Sequence, residues 1–244
     1  MALPQLIYGL HAVEEALKAD VRLDRIMVRK GLKHPAMRSI LQHCQNHRIP
    51  VLEVPGEKLD RTTRAPHQGI IAWRALIPYL EVSQLIPFLF EQGKSPLLVV
   101  LDRITDVRNF GAICRTALCM GADAVVIPAR GGAQIQEDAL KASAGALHHL
   151  PVCREWNLKE SLQYMAEAGL TLVGVTEKGE TTLWQGDFSG PVALVMGSEE
   201  DGISPAYLPL LHHKVQIPMS GPVGSLNVGA ATAMALYEIS RQRG

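Results

Sequence analysis

The chain reads as an α/β protein: a C-terminal domain on a mostly parallel sheet, preceded by a small α/β domain. Three observations predict this. From Pro96 onward, short apolar runs alternate with segments of helical period. Residues 1–75 show a shorter alternation and a different charge balance. Between them, Pro78, Pro87 and Pro96 interrupt a stretch that reads as a linker. The expected domains are therefore 1–75 and 96–244, joined by 76–95.

The elements follow in order. Tyr8-Gly9-Leu10-His11 precedes a helix with Ala12, Val13, Ala16 and Leu17 on one face. Arg25–Arg29 alternates like a strand, and Ala36–His47 reads as a helix with Met37, Ile40, Leu41 and Cys44 inward. Ile49–Val54 and His67–Trp73 read as short strands, and a short helix, Val82–Phe90, fits within the linker. Leu97–Leu101 is wholly apolar, as expected of a strand buried on both faces. A helix over Gly111–Cys119, a strand over Ala124–Pro128, and helices over Glu137–Leu147 and Leu158–Glu167 come next. Strands over Leu170–Val175, Val192–Met196 and Val215–Ile217 lead to a terminal helix. No internal repeat or low-complexity segment is present.

At 244 residues, 47% apolar and 20% charged, the composition is that of a globular protein with a sizeable core. No apolar run reaches bilayer length, and Met1–Ile7 lacks a basic region followed by a long apolar one. The expected location is the cytoplasm. The cysteines Cys44, Cys114, Cys119 and Cys153 form no Cys-x-x-Cys pair, so buried free thiols are expected rather than zinc or disulfides. The net charge is zero, but it is unevenly spread. Residues 1–75 hold 12 Lys and Arg against 7 Asp and Glu, and residues 76–244 hold 12 against 17. Two readings of the basic segment stand: a surface for an anionic partner, and ordinary solvated charge.

Ligands in parallel α/β sheets bind beyond the C-terminal strand ends. Three such ends carry unusual polar residues. After Leu101 come Asp102, Asp106, Asn109, Gly111 and Arg115; Arg115 is of the type that forks onto phosphate. The plainer reading has Asp102 and Asp106 capping a helix and Arg115 pairing with one of them. After Met196 come Gly197, Glu199 and Gly202, with Glu199 a candidate acceptor for a substrate amine or hydroxyl; the plainer reading is an acidic turn. After Ile217 come Pro218, Met219, Gly221, Gly224, Ser225, Leu226 and Asn227, then an Ala- and Gly-rich helix. Pro218 stops the strand, the glycines permit close approach, and Ser225 and Asn227 suit a helix N-cap. On spacing alone this is an ordinary strand-loop-helix. Gly229 and Ala233, four residues apart, leave room for another helix. A Rossmann glycine fingerprint, a P-loop and a hydrolase elbow are all missing. The adjacent pairs His148-His149 and His212-His213 point different ways and suit no single metal, so no metal is expected.

Together these stretches resemble the three motifs of the SpoU/TrmH family of RNA ribose 2'-O-methyltransferases, in the SPOUT superfamily. Asn109, Gly111 and Arg115 match the first motif, and Gly197, Glu199 and Gly202 the second. Ile217–Met219 with Ser225–Val228 match the third. Tyr8-Gly9-x-His11-Ala12-Val13 and His67-Gln-Gly-Ile70 resemble the family's small RNA-binding domain of ribosomal-protein-like fold. Gly229 and Ser198 depart from residues common in close relatives, Ser and Ala, at positions without a catalytic role.

The resemblance implies an α/β-knot domain with a trefoil-knotted C-terminus, although knots are rare in chains generally. It implies a homodimer through the knot helices, and S-adenosylmethionine held by Gly197, Ile217 and Leu226 with Thr176 and Met219 nearby. Such a pocket suits an adenine, which takes an apolar slot and a few backbone hydrogen bonds. The implied reaction is methyl transfer to the ribose 2'-hydroxyl of a guanosine in the peptidyl-transferase P-loop of 23S rRNA. The alternatives are another rRNA or tRNA nucleotide, or a non-catalytic RNA-binding or assembly protein. The implied catalytic residues are Arg115, Asn109, Glu199, Ser225 and Asn227. A guanidinium is not deprotonated in proteins, so Arg115 is read as a phosphate anchor and electrostatic stabiliser, with the base undecided. Arg22, Arg25, Arg29, Lys30, Lys33 and Arg38 are the expected phosphate contacts of the first domain.

Overall fold

The computed structural model describes residues 6–222 and 224–244. Met1–Gln5, part of the stretch judged unlike a signal peptide, and Val223, inside the third motif loop, lie outside the described residues. The chain divides into two compact units, one ending at Pro78 and one running from Tyr79 to Gly244.

The first unit runs β1 (Leu6–Tyr8), α1 (Leu10–Lys18), β2 (Leu23–Arg29), α2 (Pro35–Asn46), β3 (Val51–Val54), α3 (Gly56–Thr62) and β4 (Ile70–Arg74). Its sheet has the order β1-β4-β2-β3, with β4 antiparallel to both neighbours and β2 parallel to β3. Successive strand residues face opposite ways. Ile26 and Val28 accordingly join the apolar stripes of α1 and α2, while Met27 joins Leu59 and Trp73 in a second cluster. Leu41, expected inward, is 43% exposed, because Met37, Ile40 and Cys44 already complete the buried stripe of α2.

His67–Gly69, expected as strand, form a turn. Gln68 and Gly69 have φ of 52° and 84°, which ends any ladder before Ile70. The Nδ1 of His67 accepts from the Gly69 N–H at 3.0 Å, so Nε2 carries the proton shared with Asp60 at 2.9 Å. The Gln68 Oε1 accepts from the Leu10 N–H at 3.1 Å and so caps α1, which starts after Gly9 at φ 88°. The two N-terminal motif stretches therefore form one joint. Arg25, expected as a phosphate contact, is buried; it pairs with Asp24 at 3.0 Å and lies over the Trp73 ring at 4.2 Å.

The second unit runs β5 (Tyr79–Leu80), α4 (Val82–Glu91), β6 (Leu97–Leu101), α5 (Val107–Cys119), β7 (Ala124–Pro128), α6 (Glu137–Ala142), β8 (Val152–Glu155), α7 (Leu158–Glu167), β9 (Thr171–Val175), β10 (Thr181–Thr182), β11 (Val192–Met196), β12 (His213–Gln216) and α8 (Val228–Arg243). The sheet order is β10-β12-β9-β11-β6-β7-β8-β5, and every pairing between neighbours is parallel. Leu98, Val100, Leu172 and Val195 pack with α4 and α7 on one face. The alternate residues Val99, Val173 and Leu194 are equally buried, and α5 contacts β7, α6 and α8.

Residues 79–91, read from the sequence as linker, belong to this core. The buried Glu155 accepts from the Val82 N–H and from the Ser161 hydroxyl, both at 2.8 Å, and so ties the start of α4 to α7. Pro87 interrupts the α4 ladder, and the carbonyl it leaves, that of Ser83, accepts from the Tyr164 hydroxyl at 3.4 Å. The helix expected over Glu137–Leu147 ends at Ala142. Ala144 and Gly145, at φ 49° and 85°, break it before a 3-10 turn at Ala146–His148. Cys119 is exposed, unlike the other three thiols.

Gly111 explains the close seating of α5 on α6. A Cβ there would lie 2.4 Å from the Ala142 Cβ and 2.8 Å from the Ala142 carbonyl carbon, which cannot swing away. Gly111→Ala should destabilise the protein by about 1–3 kcal/mol, the usual cost of overpacking. A thermal melt should then shift down by several degrees; an unchanged midpoint would contradict the packing.

Candidate active site

Because its strands are parallel, the C-terminal ends of β6, β11 and β12 lie along one edge of the sheet, with β9 between the last two. That edge holds the three motif segments. Asp106 caps α5, its carboxylate accepting from the Asn109 N–H at 2.8 Å, and so fixes Asn109 in the first turn. Gly197 follows β11 directly. A Cβ there would lie 2.0 Å from the Gly202 carbonyl carbon and 2.1 Å from the Ile203 nitrogen, so the turn back can pass only a glycine. Ser198 and Gly202 close that turn by reciprocal backbone bonds of 3.1 and 2.9 Å, with Glu199 at its tip. Asn227 is the N-cap of α8, accepting from the Gly229 and Ala230 N–H groups at 2.9 and 3.4 Å.

These three side chains meet. The Asn109 amide donates to Glu199 Oε1 at 2.5 Å. The Asn227 amide donates to the same oxygen at 3.1 Å and to the Asn109 Oδ1 at 3.0 Å. Each amide thus has its oxygen and nitrogen assigned by its partners. One carboxylate oxygen takes both donors, leaving Oε2 for another.

Beside this cluster lies a cavity of about 480 Å³, within the range of small-ligand sites. Thr176, Gly197, Glu199, Ile217, Met219, Ser225 and Leu226 all line it, so seven of the residues picked from the sequence share one wall system. Met219 and Leu226 are 41% and 38% exposed, large apolar groups open at a cavity mouth. The lining also includes Glu177, Glu200 and Asp201, against Lys178 and Lys214. Lys214 is engaged by Glu180 at 2.7 Å and Asp201 by Arg103 at 3.0 Å, which leaves Glu177, Glu199 and Glu200 against Lys178, an acidic excess suited to a cationic ligand. The sequence reading missed Glu177, Lys178 and Lys214; only their position just past β9 or within β12 signals them.

Arg115 does not join this group. It sits two turns along α5, exposed, outside the cavity lining, and with no hydrogen-bond or ion-pair partner among the described residues. Asp102 does not cap α5 either. Its buried carboxylate takes the Arg103 guanidinium and the Ser204 N–H. Ser225 lines the cavity, but the cap of α8 is Asn227.

Residues 96–237 match the SpoU rRNA Methylase family, and residues 6–75 match the domain described as RNA 2'-O ribose methyltransferase substrate binding. The chain is 40% identical over 241 residues to an uncharacterized tRNA/rRNA methyltransferase of Synechocystis, covering 98% of this chain but 63% of that protein's length. It is 34% identical to a TrmH family tRNA/rRNA methyltransferase, so named on a provisional basis, of Staphylococcus haemolyticus, covering 98% of this chain and 96% of that one. Among solved structures it is similar to the SpoU methyltransferase AviRb of Streptomyces viridochromogenes in complex with AdoMet. That match has 26% identity and a TM-score of 0.61, covering 98% of this chain and 90% of the other.

Asn227→Ala removes two cap bonds and two contacts to the cluster. A lost cap costs about 1 kcal/mol, so the melting midpoint should fall by roughly 2–4 °C. No fall in a calorimetric scan would contradict the assigned geometry.

Proposed function

The chain belongs to the SpoU rRNA methylase family, and from this we propose that it transfers a methyl group from S-adenosylmethionine to the ribose 2'-hydroxyl of a guanosine in 23S rRNA, in the peptidyl-transferase P-loop. The observation that carries the reading is the closed Asn109–Glu199–Asn227 cluster beside a cavity with apolar and acidic walls. A second reading keeps the chemistry and changes the RNA: the staphylococcal and cyanobacterial relatives are described as tRNA/rRNA methyltransferases, which favours neither RNA.

The cavity residues fit the donor. Ile217, Met219 and Leu226 offer an apolar slot for an adenine, Gly197 brings bare backbone to its edge, and the acidic walls suit a sulfonium. Bound there, S-adenosylmethionine supplies an electrophilic methyl. The chain's own residues do the rest. Asn109 and Asn227 fix the Glu199 carboxylate, whose second oxygen is placed to accept from a ribose hydroxyl or a base amine. Ser225 orients the loop. Holding the hydroxyl in line is worth more than proton removal, since alignment alone can supply several orders of magnitude.

Arg115 anchors an RNA phosphate in this proposal, and a second copy of the chain brings it to the cavity. Met234 and Tyr237, 46% and 62% exposed on α8, form the apolar surface that such a homodimer covers. The same reading includes the knotted threading of the C-terminus and a cytoplasmic setting. Of the six cations expected to meet RNA, Arg22, Arg29, Lys30, Lys33 and Arg38 are exposed.

Mapping ribose methylation on total RNA from cells with and without the protein tests the proposal. One 23S rRNA guanosine should lose its mark without the protein; loss at a tRNA position would select the second reading, and no loss would contradict both. Arg115→Ala should bind S-adenosylmethionine normally and fail to restore the mark, whereas normal turnover would remove Arg115 from the reaction. RNA affinity should fall with salt, and Lys30→Ala with Lys33→Ala should flatten the log–log slope by about 0.7–0.9 per lost phosphate contact. An unchanged slope would place the RNA elsewhere.

A further inference from the structure

Arg103, at the C-terminal end of β6, has no part in the chemistry above. It holds φ at 57°, a conformation that favours glycine. An arginine kept in a strained conformation is held by what its side chain reaches. Its Nε and Nη2 fork onto the two carboxylate oxygens of Asp102 at 3.1 and 3.3 Å. Its Nη1 donates to Asp201 at 3.0 Å, and Nη2 also donates to the Gly202 carbonyl at 3.0 Å. Asp102 is 1% exposed and takes the Ser204 N–H at 2.7 Å. Neutralising Asp102 needs only the fork. The two further bonds go to the turn between Gly197 and Ile203, every residue of which lines the cavity.

We propose that Arg103 is a positioning residue for the methyl donor: its guanidinium braces the Gly197–Gly202 turn from β6 and sets the shape of the donor cavity. Asp102 is the fixed post, itself anchored by its backbone N–H to the Met196 carbonyl at 2.8 Å. The same β6–α5 connection leads into the first turn of α5, which carries Asn109, so one brace aligns the turn with the cluster that holds Glu199. The inference rests on the methyl-donor reading given above.

The test compares the 244-residue chain with its Arg103→Gly and Asp201→Asn variants. Glycine accepts the Arg103 backbone conformation, so Arg103→Gly removes the brace without adding strain. Titration calorimetry with S-adenosylmethionine, amide hydrogen exchange at Gly202 and Ser204 in the donor-free protein, and steady-state kinetics give the readouts. Misplacing a binding wall is costly, so Arg103→Gly should weaken donor affinity about tenfold or more and speed exchange at both amides. The KM for RNA and the kcat at saturating donor should stay within about threefold. Asp201→Asn takes the charge from one exposed arm of the brace and should weaken the donor by about two- to fivefold.

A folded Arg103→Gly variant with donor affinity within about twofold of wild type, or one losing donor and RNA affinity in parallel, would overturn the proposal. If Arg103→Gly fails to fold, unchanged donor affinity in Asp201→Asn overturns it instead. A wild-type protein that binds no S-adenosylmethionine would sink the functional reading, and amide exchange would still decide the brace.

Discussion

One carboxylate oxygen holds the site together. Glu199 Oε1 takes amide protons from Asn109 and Asn227, which stand 90 residues before it and 28 after it. Hydrogen bonds to a charged group contribute about 1.5–3 kcal/mol each when sheltered, and less at this exposed position. Their importance is geometric. A turn, a helix start and a helix cap all have to be in place at once for the three side chains to touch. The rest of the second unit can be read as the apparatus that puts them there.

That apparatus is mostly backbone. The parallel ladder brings the ends of β6, β11 and β12 into one line. Gly197 lets the chain double back without a side chain in the way, and Gly111 seats α5 against α6. Asp106 and Asn227 each use a side chain to start a helix, and Asn227 has a second use as a donor to Glu199. Outside the site, Arg243 makes a similar economy at the other end of α8. It gathers the carbonyls of Ser95, Phe188 and Gly190 and pins the last turn of the chain.

Much of this was legible in the sequence. Leu97–Leu101, Ala124–Pro128 and Val192–Met196 are found where the pattern puts them, because runs buried on both faces leave no competing pattern, and Leu158–Glu167 because Leu158, Leu162 and Met165 keep one helical stripe. The cavity residues were legible through motif resemblance, since no spacing rule links Thr176 to Leu226. Other features depend on tertiary partners that a linear pattern does not contain. Residues 79–91 look like part of a proline-interrupted linker until Glu155 and Tyr164 supply the missing bonds. Gln68 looks like part of a strand until it caps α1. Arg25 looks like an RNA contact until Trp73 and Asp24 bury it. Arg115 matches its motif, yet it stands apart from the cavity in the single chain.

The account turns on where the methyl donor sits, and a crystal structure of the protein with bound S-adenosylmethionine measures that directly. The account predicts the adenine against Ile217 and Leu226, the backbone of Gly197 at its edge, and the methyl group directed toward Glu199. Well-defined density for the donor at any other place on the protein, with this cavity filled only by solvent, would contradict it.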